Sequence, residues 1–325
     1  MRHLLVHAKS FARIEDRLKP FADHISPLVL SDEGDLKQAW GESEATGLVA
    51  YGTQDAYFSP SVITFFQTLL SHERLEWFQS SAAGTEHPMI QATGKKAERF
   101  TDSHEQAHAI AEWISWAGLD FFQRGPKRRA AQTAQTWSRL PSREISSTHW
   151  VIIGFGAIGV AAAQRLKALG ATVTGVRRSG GASEHADEII TPGALPAALR
   201  SADAVLMCVP LTPETEHLAN QSFFTAMKPD ALFMNVGRGG SVDETALIQA
   251  LDAGELAYAS LDVAQEEPYP RDGPLWSHPK VALTAHISAL TAESARRTDL
   301  IFLENLRRFL ENEPLQNLVE SKVFS

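Results

Sequence analysis

Short apolar runs rich in β-branched residues alternate with longer stretches of helical period along most of the chain. That alternation predicts an α/β fold with parallel sheets. In the first hundred residues strands are expected at Leu4–His7, Gly47–Ala50 and Leu75–Gln79, with a helix at Ser59–Leu70. Pro60 suits the first turn of that helix, where a missing N–H costs nothing. Alone, this stretch reads as an incomplete α/β unit. Gln106–Gln123 is apolar, Trp-rich and of helical period. Arg124–Thr148 reads as a polar connector, its basic residues near Lys127–Arg129 simply solvated.

A second series begins at His149. Strands are expected at Trp150–Ile153, Thr172–Val176, Ala204–Cys208, Leu232–Asn235, Tyr258–Leu261 and Val281–Thr284, with helices between them. Six such strands match a complete doubly wound dinucleotide-binding sheet. An amphipathic helix, Thr291–Glu311, and a short tail close the chain.

Composition narrows the class. A chain of 325 residues accommodates two domains. Acidic residues outnumber basic ones, 39 to 30, and no basic stripe stands out, so a nucleic-acid partner is not expected. The single cysteine, Cys208, cannot form an intrachain disulfide, which fits a reducing compartment. It lies in the apolar run Ala204–Val209 and reads as a buried strand residue rather than a nucleophile. The N-terminal apolar run is too short for a signal peptide, and no run of about 18 apolar residues predicts a membrane span. A soluble cytoplasmic protein is expected.

Candidate chemistry starts at Val151–Gly159, VIIGFGAIG. Gly154, Gly156 and Gly159 stand in GxGxxG spacing between a β-branched strand and the helical run Ala157–Leu169, the context that spacing requires. Gly154 permits the tight turn, Gly156 lets backbone approach a pyrophosphate, and Gly159 lets helix and strand pack closely. The loop Gly154, Phe155, Gly156, Ala157, Ile158 and Gly159 is therefore the expected cofactor cradle. The next strand ends GVRRSG, placing Arg177 and Arg178 where an NAD site carries an acid. An arginine binds a 2′-phosphate that a carboxylate would repel, and Ser179 can add a donor. This predicts NADP(H) in preference to NAD(H), with NAD(H) use still open.

Three further features follow strands of the same sheet. FMNVGRGG puts Arg238 between glycines, suited to holding a carboxylate bidentately and polarising the adjacent carbonyl. LDVAQEEPYP offers Asp262, Glu266 and Glu267, and LTAHIS offers His286. Reducing a ketone needs a proton donor besides the hydride, and histidine suits that task near neutral pH. A carboxylate on its other ring nitrogen fixes the tautomer and favours the charged form.

GFGAIG, CVPLTPETEHL, MNVGRGG, DVAQEEP and TAHIS, with LEWFQSSAAGTEH, RFTDS and IAEW before them and ENLRRFLENEPLQNLV after, resemble the D-isomer-specific 2-hydroxyacid dehydrogenase family over nearly the whole chain. The arginine pair is similar to that of NADP(H)-dependent glyoxylate/hydroxypyruvate reductase-like members. The resemblance implies two Rossmann-like domains with doubly wound parallel sheets. The substrate domain would be discontinuous, residues 1–103 and 287–325, around a cofactor domain of 104–286. The substrate would sit between the two, and closure would exclude water.

The resemblance assigns Arg238 to the substrate carboxylate, His286 to the proton and Glu267, rather than Glu266, to pairing with His286. Ala83 and Gly84 would offer backbone N–H groups to the substrate. Cys208, Val209, Pro210, Thr212, Val236, Gly237, Arg238, Asp262 and His286 would border the dinucleotide, Asp262 beside the nicotinamide. Ala285, Ala289 and the Ser103–Gln106 stretch depart from the family's usual residues without removing a catalytic group. The expected activity is reversible reduction of a small 2-ketoacid by NADPH, in a homodimer, without metal, membrane or nucleic acid. The competing readings are an NAD-linked dehydrogenase of a larger 2-hydroxyacid and a nucleotide-sensing corepressor-like protein.

Overall fold

A computed structural model describes residues 1–41, 44–82 and 84–324. The chain divides into two compact units, Met1–Gln106 with Leu290–Ser325, and Ala107–Ala289. The joints thus fall at 106/107 and 289/290, three residues beyond the positions implied by the resemblance.

In the discontinuous unit the strands are β1 (Arg2–His7), β2 (Ile25–Leu30), β3 (Leu36–Gln38), β4 (Gly47–Gly52), β5 (Leu75–Ser80) and β6 (Phe100–Thr101). They form one sheet in the order β3-β2-β1-β4-β5-β6, parallel except for β3. Sequence reading anticipated only β1, β4 and β5. Pro27 obscures β2, because proline is normally excluded from paired strands. It is tolerated here because the Pro27 carbonyl accepts from Ala39, so the missing N–H lies on the β3 side, before that pairing begins at Leu28. Of the other two, β3 is an edge of three residues and β6 one of two, too short to show a period. The helix expected from Ser59 starts at Val62, because Ser59 and Ser61 form a side-chain turn first.

The helix Ala292–Leu310 belongs to this unit, although 183 residues of the other unit separate it from Gln106 (289 minus 107, plus one). Its Phe302, Leu306 and Phe309 pack on Leu4, Val6, Val49 and Trp77 of the sheet. Tyr51 stacks on Phe302 with ring centroids 4.1 Å apart. A polar clamp completes the seam. Buried Asp299 accepts from Arg13 Nε at 2.8 Å and from the Tyr51 hydroxyl at 2.9 Å, while Arg13 also pairs with Asp55.

The inserted unit holds β7 (His149–Ile153), β8 (Thr172–Val176), β9 (Glu188–Ile190), β10 (Ala204–Met207), β11 (Leu232–Asn235), β12 (Tyr258–Leu261) and β13 (Val281–Leu283). All are parallel, in the order β13-β12-β11-β10-β7-β8-β9. The order reverses direction between β7 and β10, the switch point at which open α/β sheets bind ligands. The short edge strand β9 was not expected. The stretch Arg124–Thr148 is not a plain connector, because it contains a helix, Gly125–Thr133. Arg129 of that helix grips Asp120 through both guanidinium nitrogens, and Arg143 pairs with buried Asp203, so these charges have partners.

Removing one partner of a buried ion pair leaves the other uncompensated. Asp299→Ala should therefore lower the unfolding free energy by roughly 3 kcal/mol in urea titration. A loss below about 1 kcal/mol, the range of an exposed pair, would show that the clamp adds little.

Candidate active site

Every candidate on the inserted unit follows the C-terminal end of a strand. After β7 the chain turns through Gly154, whose φ is +99°. A Cβ there would lie 2.6 Å from the Cys208 carbonyl oxygen. A Cβ on Gly159 would lie 2.5 Å from the Gly154 carbonyl, so both positions require glycine. Gly154 and Phe155 donate their N–H groups to Val176 at the end of β8, seating the loop. The helix Ala157–Ala168 then begins with no side-chain cap, and a Cβ on Gly156 would meet open space. Uncapped N–H groups beside open space are what a dinucleotide pyrophosphate requires, so Gly154–Gly159 fit that group.

The two arginines after β8 differ. Arg177 Nε donates to the Gly180 carbonyl at 2.5 Å and its Nη2 to the Ala182 carbonyl at 3.0 Å, folding the guanidinium onto its own loop. Arg178 and Ser179 are exposed. After β10, Cys208 donates its thiol to Gly154 O at 2.9 Å, and burial pushes that thiol up to about 12. Cys208 lies one residue past β10 and is half-buried, where a buried strand residue was expected. Val209 abuts the turn, since a Cβ on Gly237 would lie 2.6 Å from its carbonyl oxygen. The Thr212 hydroxyl donates to Glu214, and the Pro210 carbonyl accepts from Thr215. The 210–215 turn is thus internally bonded.

After β11, buried Val236 and Gly237 lead to Arg238. Asn235, fully buried, accepts the Gly237 N–H and donates to the Arg238 carbonyl at 2.9 Å, bracketing the turn. Sequence reading missed Asn235 because it ends an apolar strand, although MNVGRGG contains it. A Cβ on Gly239 would overlap the Ala264 carbonyl, so the Arg238 turn lies against the loop that follows β12.

That loop carries Glu267. Its Oε1 accepts the Ala264 N–H at 3.0 Å, and its Oε2 accepts from His286 Nδ1 at 2.8 Å. Burial alone would raise the Glu267 carboxyl. The hydrogen bond and charge of His286, with smaller help from the Ala264 N–H and Arg238, outweigh that and hold it below the usual carboxylate range. Glu266 is exposed and takes no part. His286 itself has φ +54° and follows β13. Its N–H donates to the Asp262 carbonyl at 2.7 Å. The buried Asp262 carboxylate then accepts from the Thr284 hydroxyl and the Ile287 and Ser288 N–H groups. Asp262 therefore fastens the histidine loop.

With Nδ1 on Glu267, Nε2 of the half-exposed His286 ring is left as the outward nitrogen. Arg238, Glu267 and His286 come from three neighbouring strand ends, β11, β12 and β13. The arrangement can hold an anion, fix one imidazole tautomer and offer a proton. Gly84 lies on the discontinuous unit, while Ala83 falls outside the described residues. In that unit a cavity of about 590 Å³ is lined by Tyr51, Thr53, Gln54 and Ser81 among others. Among the described residues no helix is long and apolar enough to cross a membrane. No group of three or more His, Cys, Asp or Glu among them could hold a metal ion.

The family model described as "D-isomer specific 2-hydroxyacid dehydrogenase, NAD binding domain" matches residues 112–288, and the chain belongs to that family. It is 30% identical over 205 residues to glyoxylate/hydroxypyruvate reductase A of Yersinia enterocolitica, covering 63% of this chain and 65% of that protein. The match therefore spans just under two thirds of that relative's length. Against glyoxylate/hydroxypyruvate reductase B of Escherichia fergusonii it is 29% identical over 314 residues, 95% of this chain and 89% of the other. A solved D-isomer specific 2-hydroxyacid dehydrogenase from Xanthobacter autotrophicus Py2, in complex with NADPH and MES, superposes with a TM-score of 0.78. It is 25% identical and covers 100% of this chain and 99% of its own.

The sign of the Glu267 shift gives a test. Its folded value is depressed, so pairing stabilises the site above about pH 4.3 and is lost as the pH falls through the lower folded value. Carboxyl carbon NMR should find the Glu267 midpoint below about 4.3, and His286→Ala should raise it. A midpoint unchanged by that substitution would mean the pair is not formed.

Proposed function

We propose that the chain reduces a small 2-ketoacid to the D-2-hydroxyacid, reversibly, with NADPH as reductant. The observation that carries this reading is the His286 Nδ1 to Glu267 Oε2 bond of 2.8 Å, which leaves Nε2 outward on the strand end two places from Arg238. A reduced nicotinamide supplies the hydride to the carbonyl carbon. Arg238 holds the substrate carboxylate and polarises the carbonyl oxygen. His286 Nε2 gives that oxygen its proton, and Glu267 stabilises the imidazolium beforehand. In the reverse direction Nε2 takes the proton back.

NADPH is favoured over NADH because Arg178 extends from the β8 end, exposed, while Arg177 shapes the loop. The NADPH complex of the Xanthobacter protein supports the same direction, and the names of the two reductases support a small 2-ketoacid as substrate.

We infer also a homodimer through the inserted unit. Trp116, Leu119 and Leu169 expose apolar surface there, and Trp137 is 94% exposed. Patches of this kind mark association sites. Sedimentation should give a dimer that Trp137→Glu weakens. A wild-type monomer at micromolar concentration would sink this inference.

Activity is tested with glyoxylate, hydroxypyruvate and larger 2-ketoacids against both cofactors. NADPH should be used more efficiently than NADH, and Arg178→Ser should erase most of that advantage by raising the NADPH Kd. His286→Ala should cut kcat by roughly 10²–10⁴ with NADPH binding retained. Arg238→Ala should raise the ketoacid KM and slow the reaction too. Tight NADPH binding without turnover on any ketoacid would favour a nucleotide sensor. Better efficiency with NADH on a larger ketoacid would favour an NAD-linked enzyme.

A further inference from the structure

The loop that carries Glu267 needs a support of its own. Residues 265–268 are exposed, and β12 has ended four residues earlier, at Leu261. Exposed turns of this kind wander unless backbone groups are tied down. Two contacts from neighbouring elements tie its backbone. The first is steric, the Gly239 backbone against the Ala264 carbonyl. The second is polar. Glu244, at the start of the helix Glu244–Ala253, accepts the Gln265 N–H on Oε1 at 2.6 Å.

We propose that Glu244 is a positioning residue for the reaction. Its carboxylate anchors the 264–267 turn so that Glu267 meets His286 Nδ1 and leaves Nε2 aimed at the substrate. The inference rests on the proton-donor role assigned to His286 above.

The surrounding chemistry is consistent. Glu244 is half-buried, and its only hydrogen-bond partner among the described residues is that N–H. Burial raises its carboxyl above the usual range, with the Gln265 N–H opposing. Charged or protonated, one oxygen still accepts. Gln265 is held from its other end as well, its Nε2 lying 3.2 Å from His217 Nε2. His217 in turn donates its N–H to Gly240, two residues past Arg238. Burial raises the Tyr269 hydroxyl above its ordinary value, and the charge of Glu244 adds to that. The Arg238 turn, the Glu244 helix start and the Glu267 turn are thus one interlocked set. A helix gains only modestly from an acid in its first turn. If that were the whole role of Glu244, Glu267 would not respond to its loss.

Glu244→Leu and Glu244→Gln separate the two. Gln keeps an acceptor oxygen at the same reach, and Leu does not. In Leu the Glu267 carboxyl midpoint, read by carbon NMR, should move up toward the ordinary range, and in Gln it should stay low. With a 2-ketoacid and NADPH, kcat should fall about tenfold or more in Leu. The ketoacid KM should stay within about twofold, because Arg238 is untouched. Gln should restore kcat. A Glu267 midpoint unmoved in Leu overturns the assignment whatever the rate does, and so does a Gln variant as impaired as Leu. Should Leu not fold, Glu244→Asp, one methylene short, is read by the same midpoint. If the wild type turns over no ketoacid, the proposed reaction fails while the midpoints still decide the role of Glu244.

Discussion

The single bond between His286 Nδ1 and Glu267 Oε2 depends on two loops being held in register across adjacent strand ends. Asp262 is where both loops originate or attach. Its carbonyl takes the His286 N–H, and its carboxylate takes the next two N–H groups and the Thr284 hydroxyl. Bonds from backbone N–H to an ionised carboxylate are among the stronger neutral–charged contacts. They offset the cost of about 1 kcal/mol for a non-glycine residue in the left-handed region, which His286 occupies at φ +54°. Five residues past Asp262 the same chain delivers Glu267. One buried side chain therefore fixes the histidine loop to the strand from which its partner acid departs.

The Arg238 turn enters the same lock from the other side. Asn235 closes that turn internally, and Gly239 lets it lie against Ala264. A side chain at Gly239 would force the two loops apart. The glycines around Arg238 thus serve contact between loops more than freedom of the arginine itself. Three functional groups from three strands are placed by loops that pack closely and are tied by the short buried side chains of Asn235 and Asp262.

Much of this was legible in residue order, and the legible part has a physical reason. The strands β7, β10 and β11 are buried, largely apolar runs, and such runs announce themselves. The glycines of the cofactor loop stand at spacings that steric contact dictates. Short edge strands such as β3, β6 and β9 carry too few residues for any period, and Pro27 disguises β2. The supports were harder to see than the groups they support. Asn235 sits in an apolar strand and Glu244 in an ordinary helix start, and only distance shows which N–H each one meets. Nor does adjacency in sequence reveal that Arg177 and Arg178 do different things.

That difference bears on how nucleotide preference and chemistry are partitioned. The arginines follow β8, on the far side of β7 from the strands that carry Arg238, Glu267 and His286. Arg177 closes its own loop through the Gly180 and Ala182 carbonyls and so holds that loop's shape. Arg178, one residue on, is exposed and projects from a backbone already fixed. No hydrogen bond among the described residues links this loop to the Glu267 and His286 loops. Under the proposed reaction, preference between NADPH and NADH would then change by substitution near Arg178 without disturbing proton delivery. The proposed proton donor likewise keeps its geometry whichever nucleotide the β8 loop selects, because Asp262 and Glu267 set that geometry from the opposite half of the sheet.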